Sequence, residues 1–161
     1  MARVVLRDIA PFDLAAIHAL NEAGAPGVHP EPPEQLDAIT RMSCIALAAE
    51  IDGVVVGFCQ VLPPGAPYDS MNYSWFSARY DSFVYLDRVA VAESHRNRGI
   101  GGRLYAEVEH RTSAQWLTLE VNLRPRNAGS LRFHTRHGFL EVGQQETDYG
   151  ALVSLMAKRL R

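Results

Sequence analysis

Residues 88–103 read RVAVAESHRNRGIGGR, and this stretch carries the strongest signal in the chain. The apolar, β-branched run that leads into it predicts a strand over 84–91. Arginines and glycines then alternate in a turn, and helical periodicity begins near Arg103. A strand, a basic glycine-rich turn and a helix predict an anion site, because the first N–H groups of the helix point at the ligand and the helix dipole favours negative charge. The predicted guest is a phosphate or a pyrophosphate.

The same turn departs from two common phosphate-binding motifs. It has no Gly-Lys-Ser/Thr, which a nucleotide-hydrolysing loop needs. Leu104 stands where the dinucleotide fingerprint requires its third glycine. The pattern that remains is Arg96-x-x-Gly99-x-Gly101. It resembles the coenzyme A signature of the GNAT N-acetyltransferase superfamily, Gln/Arg-x-x-Gly-x-Gly/Ala.

A second block, residues 117–139, reads LTLEVNLRPRNAGSLRFHTRHGF and strengthens this resemblance. It resembles the next GNAT block, in which a strand ends in Leu-Glu-Val and an asparagine, a small residue, an aromatic pair and Gly-Phe follow. The matching positions are Glu120, Asn127, Ser130, Phe133-His134 and Gly138-Phe139. Two ordered blocks are more specific than either alone, and together they cover about 84–142.

Size and composition favour one globular domain over residues 1–161. The net charge of −2 gives no reason to expect nucleic acid or a membrane as a partner. Cys44 and Cys59 both lie in apolar runs, which predicts buried, reduced thiols and a cytoplasmic protein. The N-terminus does not read as a signal peptide, and no apolar run approaches the ~20 residues of a membrane span.

The remaining elements follow from periodicity and turn residues, and they predict an α/β fold with a mixed sheet and helices on both faces. Asp52-Gly53 predicts a tight hairpin turn. Residues 68–83 fit no clean period, and an aromatic-rich insertion is expected at about 63–83. Strands are predicted over 4–7, 44–50, 54–62, 84–91, 116–121, 139–141 and 152–157. Helices are predicted over about 11–23, 34–42, 103–111 and 128–137, with a loop over 24–33.

The resemblance implies a mostly antiparallel sheet splayed between two parallel strands that end near Val91 and Val121, with acetyl-CoA or coenzyme A as the cofactor. The pantetheine arm would pair with Val89 and Val91, and a backbone N–H there would polarise the thioester carbonyl. Asn127 would hydrogen-bond a pantetheine amide. The full set of implied cofactor-binding residues is Val89, Ala90, Val91, Arg96, Arg98, Gly99, Ile100, Gly101, Gly102, Arg103, Asn127, Ser130 and Phe133.

Two residues are candidates for the proton transfers of acyl transfer to an amine. The resemblance implies that Glu120 is the general base, whereas the alternative is a strand-end glutamate paired with Arg124 or Arg126. His134 stands where many family members carry tyrosine, and an ordinary pKa of about 6.5 would suit an acid near neutrality. In the alternative, His134 packs against the cofactor arm and the thiolate takes its proton from water.

The acceptor site is expected at the aromatic insertion, because loops on a rigid scaffold carry function disproportionately. Tyr73, Trp75, Tyr80 and Asp81 are its candidate lining. Asp87, on the strand before the glycine turn, is a candidate acceptor ligand or second base. Alternatively, it pairs with Arg88 or with a neighbouring strand. The alternative for the insertion is a loop whose aromatic side chains pack on the sheet edge or in a dimer contact.

The resulting hypothesis is a GNAT acyltransferase that moves acetyl from acetyl-CoA to a primary amine of a small molecule by direct attack, without a metal. A protein N-terminal or lysine acetyltransferase is the alternative within the family. A non-catalytic coenzyme A-binding sensor or interaction module is the alternative of another class. The resemblance leaves a homodimer open.

Overall fold

The computed structural model describes residues 3–25 and 27–161, so Pro26, inside the predicted 24–33 loop, lies outside the described residues. The described part contains seven strands and five α-helices, which confirms the α/β class. The strands are β1 (Val4–Asp8), β2 (Ile45–Ile51), β3 (Val54–Leu62), β4 (Phe83–Val91), β5 (Trp116–Arg124), β6 (Leu140–Glu146) and β7 (Leu152–Arg159). The helices are α1 (Leu14–Ala23), α2 (Pro33–Met42), α3 (Met71–Ser77), α4 (Ile100–Arg111) and α5 (Ala128–Arg136).

The strands form a mixed sheet in the order β1-β2-β3-β4-β5-β7-β6. β2 pairs antiparallel with both β1 and β3, and β7 pairs antiparallel with both β5 and β6. β4 and β5 run parallel, with Phe83 opposite Trp116 and Tyr85 opposite Thr118. The mixed, mostly antiparallel sheet predicted from the sequence is confirmed.

The chain forms two compact units, the first from Met1–Leu62 and Leu86–Ser113 and the second from Pro63–Tyr85 and Ala114–Arg161. In the first unit, α1, α2, β3 and β4 each contribute to one apolar cluster. Its buried members are Ile17, Leu36, Phe58 and Ala90. The Asp52-Gly53 turn joins β2 to β3 with φ angles of 51° and 79°, the left-handed pair expected of such a hairpin.

In the second unit, α3 is a helix within the segment that showed no clean period. Ser70 caps it, because its Oγ accepts from the N–H of Tyr73 at 3.2 Å. Tyr73 and Phe76 are its buried aromatic side chains. Seven residues are fewer than two helical turns, which is too short for apolar periodicity to stand out among so many aromatic residues.

Several predicted boundaries were wrong for local reasons. α4 begins at Ile100 rather than Arg103, because its N-terminal turn contains glycines, which have low helix propensity and hide the start. β6 runs over Leu140–Glu146 rather than 139–141. Because it is the last strand of the sheet and most of its residues are exposed, its sequence lacks the alternation of apolar and polar residues that identifies a strand. Cys44 precedes β2 and is exposed rather than buried, whereas Cys59 is buried in β3. No helix of the described residues is long and apolar enough to cross a membrane.

Candidate functional site

The turn between β4 and α4 has the backbone of an anion-binding loop. Asn97 and Gly99 adopt positive φ angles of 62° and 78°. The N–H of Arg103 donates to the carbonyl of Gly99 at 3.0 Å, which is the first rung of the α4 ladder. The N–H groups of Ile100–Gly102 therefore have no acceptor within the helix. Such N–H groups at a helix start, next to a left-handed residue, form a concave donor set for an anion.

Positive charge surrounds this loop, as expected from the sequence. Arg96, Arg98 and Arg103 are all exposed. The Nε of Arg96 lies 3.4 Å from the carbonyl oxygen of Val91, at the end of β4. Exposed guanidinium groups beside unpaired helix N–H groups suit a diphosphate, which offers several acceptor oxygens. Asn97 was missed by sequence reasoning, although asparagine tolerates the left-handed conformation better than most residues.

The segment Val89–Val91 is held closely against β3 within the first unit. A Cβ atom at Gly57 would lie 3.2 Å from the carbonyl oxygen of Ala90, so glycine permits this approach. The N–H of Ala92 donates to the carbonyl of Val56 at 2.7 Å, directly after β4 ends. The backbone proposed to pair with the cofactor therefore lies on a well-supported strand.

Arg88 organises a buried polar cluster that sequence reasoning did not find. Its residue exposure is 5%, and its Nε donates to Asp87 at 2.8 Å. Its Nη1 donates to the Oδ1 of Asn21 and to the carbonyl of His29, both at 3.1 Å, and its Nη2 lies 3.6 Å from Glu31. One guanidinium thus joins β4 to the segment between α1 and α2. Asp87 pairs with Arg88, which was one of the roles predicted for it.

In the second unit, Glu120 receives a hydrogen bond from a buried phenol. The hydroxyl of Tyr85 donates to Glu120 Oε1, and Tyr85 is 1% exposed. The predicted alternative for Glu120 was pairing with Arg124 or Arg126. The structure places Arg124 3.5 Å from Glu146. Glu120 is thus a half-buried carboxylate on β5 with a neutral donor on one oxygen.

His134 is buried on α5, and its ring is fixed by its neighbours. Nδ1 lies 2.7 Å from the carbonyl oxygen of Ser130, and the ring makes edge contacts with Phe133 and Phe139 at centroid distances of 5.2 Å. Burial lowers the pKa of His134 to about 4, against the opposing effect of the hydrogen bond with Ser130. The imidazole is therefore neutral at pH 7, whereas the acid role expected of His134 needs a ring with an ordinary histidine pKa.

The other residues assigned to the cofactor on α5 serve the helix as well. Asn127 is the N-cap, since its Oδ1 accepts from the N–H of Ser130 at 3.2 Å. That leaves the amide Nδ2 as the donor group of Asn127 for a pantetheine carbonyl. The ring of Phe133 packs on His137 with centroids 4.1 Å apart.

The structure separates the four predicted acceptor residues of the insertion by exposure. Tyr73 is 4% exposed, and its hydroxyl donates to the carbonyl of Pro63 and accepts from the N–H of Ala66. Tyr73 is thus a packing residue, as the alternative for the insertion expected. Trp75 and Tyr80 are half-buried, and Asp81 is exposed.

The insertion helix is anchored to the β6–β7 hairpin. The Nε2 of Gln145 donates to the Oδ1 of Asn72 at 3.0 Å, and the Nδ2 of Asn72 donates to the hydroxyl of Tyr149 at 3.2 Å. Trp75 covers Gly143 so closely that a Cβ atom there would lie 2.7 Å from its ring.

Among residues 3–25 and 27–161, no group of three or more potential metal ligands is found.

Comparison with known proteins places this geometry in a family. The model of the acetyltransferase (GNAT) family matches residues 14–139. The chain belongs to the GNAT acetyltransferase family. No match was found among curated proteins. This match confirms the resemblance seen in the sequence and begins well before the two sequence blocks.

Solved GNAT structures share the fold at low sequence identity. The ribosomal-protein-S18-alanine N-acetyltransferase from Escherichia coli is 17% identical, with a TM-score of 0.74 over 98% of this chain and 94% of that chain. NAA60 from Arabidopsis thaliana, in complex with acetyl-CoA, is 22% identical, with a TM-score of 0.75 over 98% and 99%. The yncA protein from Salmonella typhimurium, with its cofactor acetyl-CoA, is 18% identical, with a TM-score of 0.73 over 99% and 95%. Acetyl-CoA or coenzyme A is the cofactor of this GNAT chain.

Proposed function

We propose that the chain is an N-acetyltransferase that moves the acetyl group of acetyl-CoA to a primary amine of a small molecule by direct attack. Membership of the GNAT family implies acyl transfer. The observation that carries the amine assignment is the half-buried carboxylate of Glu120 on β5. An amine must lose a proton to form an amide, so the reaction needs a base, and a carboxylate is a base of the required kind.

The cofactor-binding roles follow the family resemblance. The N–H groups of Arg98–Arg103 bind the pyrophosphate, and the backbone of Val89–Val91 binds the pantetheine arm and donates an N–H to the thioester carbonyl. The same resemblance assigns Asn127, Ser130 and Phe133 to the arm. When bound, acetyl-CoA supplies an acetyl thioester with a good leaving group. The donor set of the loop and its three exposed arginines support this assignment.

The protein's part in the reaction is to hold and move protons. The amine nitrogen forms the new C–N bond as the C–S bond breaks, and Glu120 receives the proton that the amine loses. The departing sulfur becomes a thiol by taking up a proton. The neutral state of His134 favours water as the source of that proton, with the imidazole packing against the cofactor arm.

The insertion supports a small acceptor. α3 is a packed helix held to the β6–β7 hairpin, so it does not move aside readily. An extended peptide acceptor would be crowded by this helix, whereas a small amine would not. Trp75, Tyr80 and Asp81 combine aromatic surface with an exposed carboxylate, which suits an ammonium group. The free thiols of Cys44 and Cys59 are consistent with a cytoplasmic location.

The test is thiol release from acetyl-CoA across a panel of amines, amino acids, polyamines, aminoglycosides and short peptides. We expect stimulation by a small amine. We expect Glu120→Gln to lower kcat by about 100-fold, within the range for loss of a general base. Glu146→Gln, which removes an exposed carboxylate of β6, is the matched control and should retain wild-type turnover. Stimulation by peptides alone would replace the small-molecule assignment, and binding of acetyl-CoA without stimulation by any acceptor would favour the non-catalytic module.

A further inference from the structure

Tyr85 is a buried phenol whose hydroxyl faces a carboxylate. It lies on β4, is 1% exposed, and donates its hydroxyl proton to Oε1 of Glu120 on β5. A buried tyrosine hydroxyl needs a partner, and here the partner is the residue that the proposed function uses as the base. The two residues belong to neighbouring parallel strands, whose register pairs Tyr85 with Thr118, two residues before Glu120.

The ring of Tyr85 is fixed by the insertion helix. Its centroid lies 5.4 Å from that of Tyr73 in an edge contact and 6.0 Å from that of Phe76. Both partners are buried residues of α3. Tyr73 is itself bonded through its hydroxyl to the backbone of Pro63 and Ala66, so the supporting ring is anchored at its hydroxyl end. The position of the Tyr85 hydroxyl is therefore set by α3 and β4 together.

We propose that Tyr85 is a positioning residue that orients the Glu120 carboxylate for proton transfer, and that the aromatic insertion supports the site through Tyr85. This inference rests on the proposed function of Glu120. A donor on Oε1 restrains rotation of the carboxylate and so limits the directions in which Oε2 can point. It also stabilises the ionised form, which is the form that accepts a proton. The insertion thereby acts in the reaction without its buried aromatic residues touching the acceptor.

The test replaces the phenol by a ring of the same shape. We expect Tyr85→Phe to retain acetyl-CoA affinity, while kcat falls about tenfold and KM for acetyl-CoA changes less than about twofold. The Glu120 carboxyl resonance, followed by ¹³C NMR and assigned by its loss in Glu120→Gln, should titrate about one pH unit higher, because the donor to the ionised form is gone. Tyr105→Phe, at a buried tyrosine of α4 that does not enter this argument, should leave that titration at the wild-type midpoint.

A double-variant cycle separates positioning from general damage to the fold. If Tyr85 acts through Glu120, then Tyr85→Phe should cause almost no further loss of kcat in the Glu120→Gln background. Additive losses together with an unchanged carboxyl titration would overturn the proposal. If the wild-type protein shows no amine-stimulated turnover, the proposed function fails and the catalytic role of Tyr85 fails with it. A shifted titration in Tyr85→Phe would then identify a structural hydrogen bond only.

Discussion

The Nδ1 atom of His134 lies 2.7 Å from the carbonyl oxygen of Ser130, one helical turn earlier in α5. A carbonyl oxygen only accepts, so Nδ1 carries the proton of the neutral imidazole. Burial lowers the pKa of His134 to about 4, since a charged ring would be poorly solvated there. The contact with Ser130 sets the tautomer of the ring, and burial keeps the ring neutral at pH 7.

The depressed pKa of His134 predicts a loss of stability in acid. Between the ordinary value of 6.5 and about 4, the unfolded chain binds a proton that the folded chain does not. Stability therefore rises with pH across this window and is fully present above it. We expect the His134 contribution to the free energy of unfolding to fall by about 2 kcal/mol from pH 7 to pH 5.

Urea unfolding of His134→Phe and wild type at pH 7 and pH 5 measures this contribution. The variant should show the smaller pH dependence, because its ring cannot bind a proton. His110→Phe removes an exposed imidazole of α4 and serves as the control. Equal pH dependence in wild type and His134→Phe would contradict the prediction.

The same pKa predicts a modest effect of His134 on turnover. With a pKa of about 4, only about one imidazole in a thousand is charged at pH 7. General acid catalysis contributes about 100-fold or more, and a neutral ring does not supply it. We expect His134→Phe to lower kcat at pH 7 by less than about tenfold. Steady-state kinetics checks this, and a loss of several hundredfold would restore the acid role.

Arg88 is predicted to be critical for folding. Its guanidinium is buried between Asp87 and Glu31, with side-chain exposures of 4%, 4% and 20%. Arg88→Met leaves the buried carboxylates without this cation. Removing one partner of a buried ion pair typically costs about 3–5 kcal/mol, so we expect the free energy of unfolding to fall by that amount. Arg111→Met breaks ion pairs at the surface and should cost less than about 1 kcal/mol. Urea unfolding of both variants makes the comparison, and equal losses would show that burial of the Arg88 cluster is unimportant.

The anion loop predicts a salt-dependent affinity for acetyl-CoA. Arg98 is exposed, directly before the left-handed Gly99. We expect Arg98→Ala to weaken acetyl-CoA binding about tenfold at low salt, since a hydrogen bond to a charged group contributes about 1.5–3 kcal/mol. The difference from wild type should shrink as salt rises, because salt screens exposed charges. Titration calorimetry at low and high salt measures the dissociation constant of acetyl-CoA for both proteins. Arg41→Ala, an exposed arginine of α2, should bind as wild type does.

Two glycines offer a test of how α3 is held. A Cβ atom at Gly143 would lie 2.7 Å from the Trp75 ring, so Gly143→Ala forces α3 or β6 to move. We expect a loss of about 1–3 kcal/mol, as for overpacking in a core. At Gly129, in α5, the nearest atom would be 3.9 Å away. The same substitution there should stabilise the protein by about 0.5–1 kcal/mol, because alanine favours helix. Thermal or urea unfolding should show changes in the free energy of unfolding of opposite sign for the two variants. A Gly143→Ala protein as stable as wild type would argue against close packing of Trp75 on Gly143.

The sequence by itself determined the features that depend on neighbouring residues. Alternating apolar residues identified most strands, and Asp52-Gly53 identified the β2–β3 hairpin, because backbone preferences and side-chain periodicity act over a few residues. The basic glycine turn after β4 and its anion site follow from the same local rules. The family resemblance rested on two such local blocks, and the family match confirmed it.

Only the tertiary structure decided the features that join distant parts of the chain. The hydrogen bond from Tyr85 to Glu120 spans 35 positions, and that from Arg88 to Asn21 spans 67. The pKa of His134 depends mainly on burial, which no local pattern of residues reports. Side-chain contacts and solvation are set by packing between elements, so the roles of these residues could be assigned only once the chain was folded.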